Sequence, residues 1–327
     1  MMEDTNTSDL YDQSKSKTFY ENRYISGYME TWPIEREERL LDVIAHLDLP
    51  VTGKALDFGC GNGVGTDTLR RILPSWTVYG TDISETAISN ASVRYPSITF
   101  FNLEDIQSSP MKFDLIFSNH LLEHVYDLEA VVETMNLQLK DHGVSMLHVL
   151  PCRSPGSYEH SICQLRSDGI AKERGNRYFF EDQGHLRRLS TDDLSDICHP
   201  LGFHLSKEFY SYHYFGSIDW ITTSVKTVLT ITDGKTAIDS RAKRELIKQR
   251  LILLSIALLR TPAIIVPMVL RRSSRKLKHY IVLILSIPLY VFSLPVHLFF
   301  KWRAKAEWAS NKYDRTGSEM WLHFRRI

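Results

Sequence analysis

Apolar residues change their period along the chain, and the changes mark out elements. Short apolar runs at 55–58, 76–81, 98–101, 113–118 and 144–150 each end in turn-forming or polar residues, which predicts five buried strands. Between them, 66–73, 84–94 and 125–140 space their apolar residues as helices do. Pro74 ends the first of these and Ser84 caps the second. Strand and helix in alternation imply a doubly wound α/β fold, a parallel sheet with helices on both faces and ligands at the carboxyl ends of the strands. A further helix at 190–201 and a sixth strand at 203–210 follow, and 319–324 alternates weakly as a last strand.

The pattern fails at both ends of this core (51–215). Residues 1–17 are polar and aperiodic, which predicts disorder and no secretory leader. The 18–50 stretch reads as a helical cap: Phe19, Tyr20, Tyr24, Tyr28 and Trp32 precede a helix over 35–44 with Pro33 in its first turn. It packs against a sheet edge or forms a lid whose tyrosines close over a site. Residues 216–312 contain two apolar runs, 251–270, interrupted by Arg260, and 280–300, without a charge. Each approaches the roughly 20 residues a spanning helix needs. The last strand then occupies 313–327.

Charge sharpens this picture. Lys plus Arg and Asp plus Glu are equal at 39 each, yet residues 241–327 hold 18 of the bases and only 4 of the acids. A basic, acid-poor segment rich in Leu and Ile points to an anionic membrane surface, with no nucleic acid expected. If 319–324 rejoins the sheet, both ends of the apolar pair lie on one side of a membrane. Two crossings would export the five Lys and Arg of 271–278, against the positive-inside tendency. Arg260 and the prolines also weaken the first run as a span. The reading is a peripheral or monotopic hairpin in the interface or one leaflet, at the cytoplasmic face; a dimer that buries the pair is the alternative. Cys60, Cys152, Cys163 and Cys198 form no CxxC pair, which fits reduced thiols.

Candidate chemistry begins at 55–65, where an apolar strand holding Asp57 breaks into Gly59, Gly61, Gly63 and Gly65. Glycines at such a turn let backbone approach a ligand, and the next helix offers free N–H groups. Dinucleotide-binding proteins share the feature, but their glycines run GxGxxG, and Asp57 stands where they have a plain apolar strand. Asp82 ends the second strand, where ribose hydroxyls need an acceptor.

Residues 55–63 (Ala-Leu-Asp-Phe-Gly-Cys-Gly-Asn-Gly) resemble the first motif of the class I S-adenosylmethionine-dependent methyltransferases, and 78–84 (Val-Tyr-Gly-Thr-Asp-Ile-Ser) their second. The stretch 113–125 is similar to their fourth-strand motif, and 184–190 with Leu201-Gly202-Phe203 to the block before their sixth strand. The resemblance implies a Rossmann-like seven-stranded sheet of order 3-2-1-4-5-7-6 with strand 7 antiparallel, here with an apolar helical hairpin inserted before the last strand. It implies that Asp57, Gly59, Cys60, Gly61 and Gly63 hold the methionine part of S-adenosylmethionine. Asp82 would accept from the ribose and Ile83 lie beside the adenine. Asn102, Leu103 and Asn119 complete the cofactor set, with Asn102 or Glu104 where the family often has an acid.

His120, Glu123 and His124 share a face if they lie on one helical turn, and His185 comes from a later loop. Together they could hold a divalent metal ion. The arrangement is similar to the Glu-x-x-Glu-His motif of quinone-ring and small-RNA terminal methyltransferases, with His120 where those have Glu; alternatively Glu123 and His124 only shape the pocket wall. A hydroxyl acceptor needs a base, for which His185, His124 and His160 are candidates. The sequence therefore reads as an S-adenosylmethionine-dependent methyltransferase that O-methylates a membrane-partitioned, lipid-linked, isoprenoid or saccharide-type acceptor. A quinone-type ring methyltransferase is the alternative enzyme. A catalytically silent membrane scaffold is the alternative from another class.

Overall fold

Seven strands pair into one sheet in the computed structural model, which describes residues 13–28, 32–270 and 276–326. They are β1 (Lys54–Phe58), β2 (Thr77–Asp82), β3 (Thr99–Asn102), β4 (Leu115–Asn119), β5 (Val144–Pro151), β6 (His204–Ser211) and β7 (Glu319–Arg326). Their order is β3-β2-β1-β4-β5-β7-β6, as the resemblance implies. The first five are parallel, with Asp57 opposite Gly80 on β2 and Phe117 on β4. Helices cover both faces of such a sheet, so its central strands are apolar throughout: Leu56, Ile116, Phe117, Met146 and Leu147 are fully buried.

The helices of this part are α1 (Gln13–Ile25), α2 (Ile34–Ala45), α3 (Val64–Ile72), α4 (Glu85–Arg94), α5 (Leu103–Ser108) and α6 (Leu128–Gln138). Local chemistry sets their ends. Pro33 precedes α2 in an extended conformation, outside the first turn where the sequence placed it. The Ser84 hydroxyl accepts the Ala87 N–H and so starts α4 as expected. Asp127 caps Ala130 at 2.9 Å, so α6 begins at Leu128, three residues later than its apolar spacing suggests. Residues 13–17, expected to be disordered, belong to α1, while 1–12 lie outside the described residues.

The chain divides into two units. The first comprises the described residues of 1–151, 183–209 and 320–326 and contains most of the sheet together with α8 (Thr191–Cys198). The second takes residues 152–182 and 210–319, so 152–182 groups with the C-terminal helices and not with a continuous 51–215 core.

This second unit holds α7 (Tyr158–Cys163), α9 (Phe215–Ile221), α10 (Val225–Ile231), α11 (Ser240–Leu270) and α12 (Leu277–Asn311). Ile162, Ile218, Val228, Leu246, Leu253 and Phe300 form its core. The two apolar runs are parts of α11 and α12, which extend past them into charged residues. Arg260 is buried and paired: its guanidinium donates to the Asp219 carboxylate, to the Asp219 carbonyl at 3.0 Å and to the Thr222 hydroxyl. It is thus an internal cation, where the sequence suggested a break in the apolar surface. The basic stretch 271–275 lies outside the described residues.

Candidate active site

At the end of β1 the backbone turns through Gly59 and Gly61, both at positive φ (82° and 52°). A Cβ at Gly59 would stand 2.8 Å from Leu121, and one at Gly61 2.7 Å from the Tyr24 hydroxyl, so only glycine fits. The N–H groups of Gly59 and Cys60 donate to the Thr81 carbonyl at 2.8 and 3.0 Å, which fastens the turn to β2. Gly63, also at positive φ, caps α3.

Two buried carboxylates brace this turn. Asp57 accepts the Thr66 hydroxyl at 2.7 Å; burial, with the Asp82 charge nearby, raises its pKa to about 7. Asp82 accepts the Gly61 N–H through Oδ2 and the Ser84 N–H through Oδ1, both at 2.9 Å. Burial raises its pKa too, and those two N–H groups pull the other way.

Turn and carboxylates line a cavity of about 190 Å³. Asp57, Gly59, Cys60, Gly61, Asp82, Ile83, Leu103, Asn119, His120 and His124 all contribute to its wall, as the sequence placed them in the site. Glu123, His185 and His160 are not on that wall, and of the predicted cofactor residues two are not. Gly63 faces Phe100 and Ala91, and Asn102 stands at the N-terminal boundary of α5, with its amide nitrogen 3.5 Å from Asp105. Tyr20, Tyr24, Tyr28 and Trp32 of the N-terminal segment also line the cavity. Burial and the Asp82 charge push the Tyr24 hydroxyl far above its usual pKa, so it stays protonated.

Beyond β4 no helical turn forms. His120 has a positive φ of 52°, and a tight turn follows, closed by His124 N–H to Leu121 carbonyl at 2.9 Å. The residues converge nonetheless. His120 Nδ1 lies 2.9 Å from the Glu123 carboxylate, and its Nε2 lies 3.0 Å from Arg36, a contact with no sequence signal because 84 residues separate the pair. His124 Nδ1 must donate to the Gly184 carbonyl, 2.9 Å away, which leaves Nε2 as the basic nitrogen, 3.8 Å from Glu123. The His185 ring meets His124 edge-on at 4.6 Å, and ligand atoms of Glu123, His124 and His185 all lie within 4.8 Å of one another. His120 belongs to the ion pair and not to that three-residue cluster.

Burial opposes charge on Glu123, but the adjacent His120 and His124 outweigh it and hold the pKa near 2. Burial lowers His124 to about 4, against the pull of Glu123, so it is neutral at pH 7. His160 lies in the second unit, where its ring nitrogens meet Tyr178 Oη at 3.3 Å and Gln164 at 2.7 Å.

A family model described as a methyltransferase domain matches residues 32–208, more than half of the 327-residue chain. The chain belongs to this family. Its members include S-adenosylmethionine-dependent enzymes, as the four sequence motifs imply, and the match stops before α11 and α12. Trans-aconitate 2-methyltransferase of Variovorax paradoxus is 33% identical over 113 residues, 34% of this chain and 43% of that protein. Malonyl-[acyl-carrier protein] O-methyltransferase of Bacillus cereus is 25% identical over 166 residues, 48% of this chain and 61% of that protein. The chain thus spans about half the length of the curated relatives it matches. Among solved structures, magnesium protoporphyrin IX methyltransferase of Synechocystis with bound S-adenosylhomocysteine aligns at 17% identity and TM-score 0.42, over 60% of this chain and 92% of that one.

The site suits the cofactor of the family on its own geometry. The glycine turn is a cradle that any Cβ would fill, and Asp82 presents an acceptor at the end of β2. The buried Asn119 Oδ1 on the cavity wall has no hydrogen-bond partner among the described residues.

Proposed function

We propose that the protein transfers the methyl group of S-adenosylmethionine to a hydroxyl of a small acceptor that partitions into, or is linked to, a membrane. The observation that carries the transfer is the cavity in which the glycine turn, Asp57 and Asp82 meet His124. In this reading Asp82 accepts from the ribose hydroxyls, and Asn119 and the Gly59–Gly61 backbone hold the amino-acid end. Ile83 and Leu103 flank the base. The cofactor supplies a methyl group on a sulfonium sulfur, poised for in-line displacement.

Alignment and exclusion of water supply most of the acceleration in such a transfer. Tyr20, Tyr24, Tyr28 and Trp32 cover the cavity. The acceptor O–H gives its proton to His124 Nε2; the Gly184 carbonyl holds the ring's own proton on Nδ1 and aims the ring, and burial keeps it neutral. His185, edge-on to His124, fixes the ring. Membrane presentation of the acceptor is supported by the exposed apolar residues of α12, among them Ile284, Leu285 and Phe292.

A second reading rests on the convergence of Glu123, His124 and His185: a divalent ion held there would orient the acceptor's oxygens. The His124 Nδ1 bond to a backbone carbonyl is the pattern that orients metal-binding imidazoles. The test is His124→Ala. It is expected to keep affinity for S-adenosylhomocysteine in calorimetry and to lose about 10²–10⁴ in turnover. Turnover within threefold of the parent would remove His124 from the chemistry. Dialysis against EDTA discriminates the readings: full activity afterwards leaves His124 as base alone, and activity restored only by added metal selects the ion.

A further inference from the structure

The second unit carries an apolar face that neither its own core nor methyl transfer uses. Taken at 100° per residue, Leu283, Ser293, Phe300, Ala304 and Trp308 share one side of α12 within about 100° of arc, and all are buried. Leu283 packs with Val266 and Val269 of α11, Phe300 belongs to the core of the unit, and the Ser293 hydroxyl accepts the Ala263 N–H at 2.9 Å. These contacts make α11 and α12 an antiparallel hairpin.

The opposite side of α12 is bare. Tyr280, Ile284, Val291, Leu298 and Trp302 are exposed and fall within about 40° of one another. Exposed Ile281, Leu285, Phe292 and Phe299 widen this row to about 140°. The helix thus has two apolar sides, one filled by the protein and one left to the outside. From Tyr280 to Trp302 it runs 23 residues, about 35 Å, with Lys301 the single charge. Lys301 leaves the row by reaching back to Asp219 at 3.3 Å.

Charge indicates what covers this face. Residues 241–306 hold fourteen Lys and Arg against one acid, Glu245. Arg260, midway along, is turned inward onto Asp219. Most of the others stand at the two ends of the hairpin, in 241–250 with 301–305 at one and in 271–278 at the other. A second copy docked by the same face would set this excess against its own like. An anionic lipid surface complements both ends and offers hydrocarbon between them. Tyr280 and Trp302, at the two limits of the row, are side chains that favour the headgroup level.

The same charges set the depth. Between Arg260 and Arg271, α11 supplies ten residues, about 15 Å, half of a hydrocarbon core. Upright, the hairpin would leave its basic tip in mid-membrane; flat, it keeps those bases among headgroups.

We infer that α12 lies in the plane of an anionic bilayer surface, with the Tyr280–Trp302 face sunk among the outer acyl segments and the Lys and Arg of both hairpin ends on lipid headgroups. This rests on the reading that the acceptor is held at a membrane, and it assigns the surface that brings the protein there. Of the placements open from the sequence, it selects the interface over a deep leaflet insertion or a dimer.

Flotation of the full chain, diluted from detergent onto preformed sealed vesicles, tests it. The protein is expected to float with vesicles containing phosphatidylglycerol, and about tenfold or more weakly with phosphatidylcholine alone or in high salt. Ile284→Asp combined with Phe292→Asp, two exposed positions, should abolish flotation and leave helix content and S-adenosylhomocysteine affinity unchanged. An impermeant maleimide added outside should label Leu277→Cys at the tip and Ala309→Cys at the base alike, since the native cysteines are buried. Leu277→Cys reached only from the vesicle lumen would overturn the in-plane placement. Equal flotation on phosphatidylcholine would overturn the anionic surface, and flotation indifferent to the paired aspartates would overturn the face. No flotation on any vesicle, or a soluble dimer that the paired aspartates dissociate, would overturn the docking itself. Methylation of a lipid-soluble small molecule by a protein that does not float would separate that failure from failure of the proposed reaction.

Discussion

Asp82→Ala is expected to weaken binding of S-adenosylhomocysteine severely while the sheet still forms. The carboxylate has two duties at once. It satisfies the N–H groups of Gly61 and Ser84, and it faces the cavity where two ribose hydroxyls would need an acceptor. Alanine leaves both N–H groups without their partner in a buried place, at about 1–3 kcal/mol each, and frees Gly61 to leave its positive-φ turn. Losing the charged acceptor as well brings the expected cost in binding to about 2–5 kcal/mol, roughly 30- to 4,000-fold. Asp82→Asn keeps one acceptor oxygen and should fall between. Calorimetry gives the affinities, and unchanged affinity in Asp82→Ala would remove this residue from the pocket.

Acid is expected to unfold the protein well before ordinary carboxylates titrate. His148 on β5 is buried, with Nδ1 on the Ser118 hydroxyl at 2.8 Å and Nε2 without a partner among the described residues. Burial lowers its pKa to about 3. His323 on β7 is lowered to about 4, by burial first and then by Arg325. Both imidazoles take up a proton near pH 6.5 when unfolded but resist it when folded. The unfolded chain therefore binds more protons between pH 6.5 and about 4, and stability falls as pH falls through that window. At about 1.4 kcal/mol per pH unit of difference, the pair removes several kcal/mol, a large part of a typical domain's stability. Burial of Asp57, which titrates near 7, and of Asp82 opposes this, while His124, held near 4 by burial, adds to the two imidazoles and keeps the balance on their side. Urea midpoints measured from pH 7.5 to 4.5 should drop steeply, and His148→Leu should flatten the slope. A flat profile in the parent protein would contradict the account.

What was legible in the sequence was local. Asp57, Gly59, Gly61 and Asp82 sit on one strand–turn–helix and the strand after it, so spacing alone placed them around one cavity. Glu123, His124 and His185 were legible as a set of residue types. Their geometry was not, because His120 leaves the strand at positive φ and a tight turn replaces the helical one. Asn102, read as a cofactor contact, stands at the N-terminal boundary of α5 and does not line the cavity. The second unit was least legible because its contacts are distant in sequence: Tyr158 reaches Gln249, and Cys152 N–H reaches the Ser318 carbonyl. Arg260 read as a flaw in an apolar run until Asp219, 41 residues earlier, proved to be its partner.

The central claim is methyl transfer to an acceptor held in or on a membrane. Membranes from cells lacking the protein, incubated with purified enzyme and S-adenosylmethionine labelled on its methyl group, test it most directly. The account predicts label in a small molecule extracted by organic solvent, dependent on Asp82 and His124. Label confined to protein or water-soluble species, or none in any fraction, would contradict it.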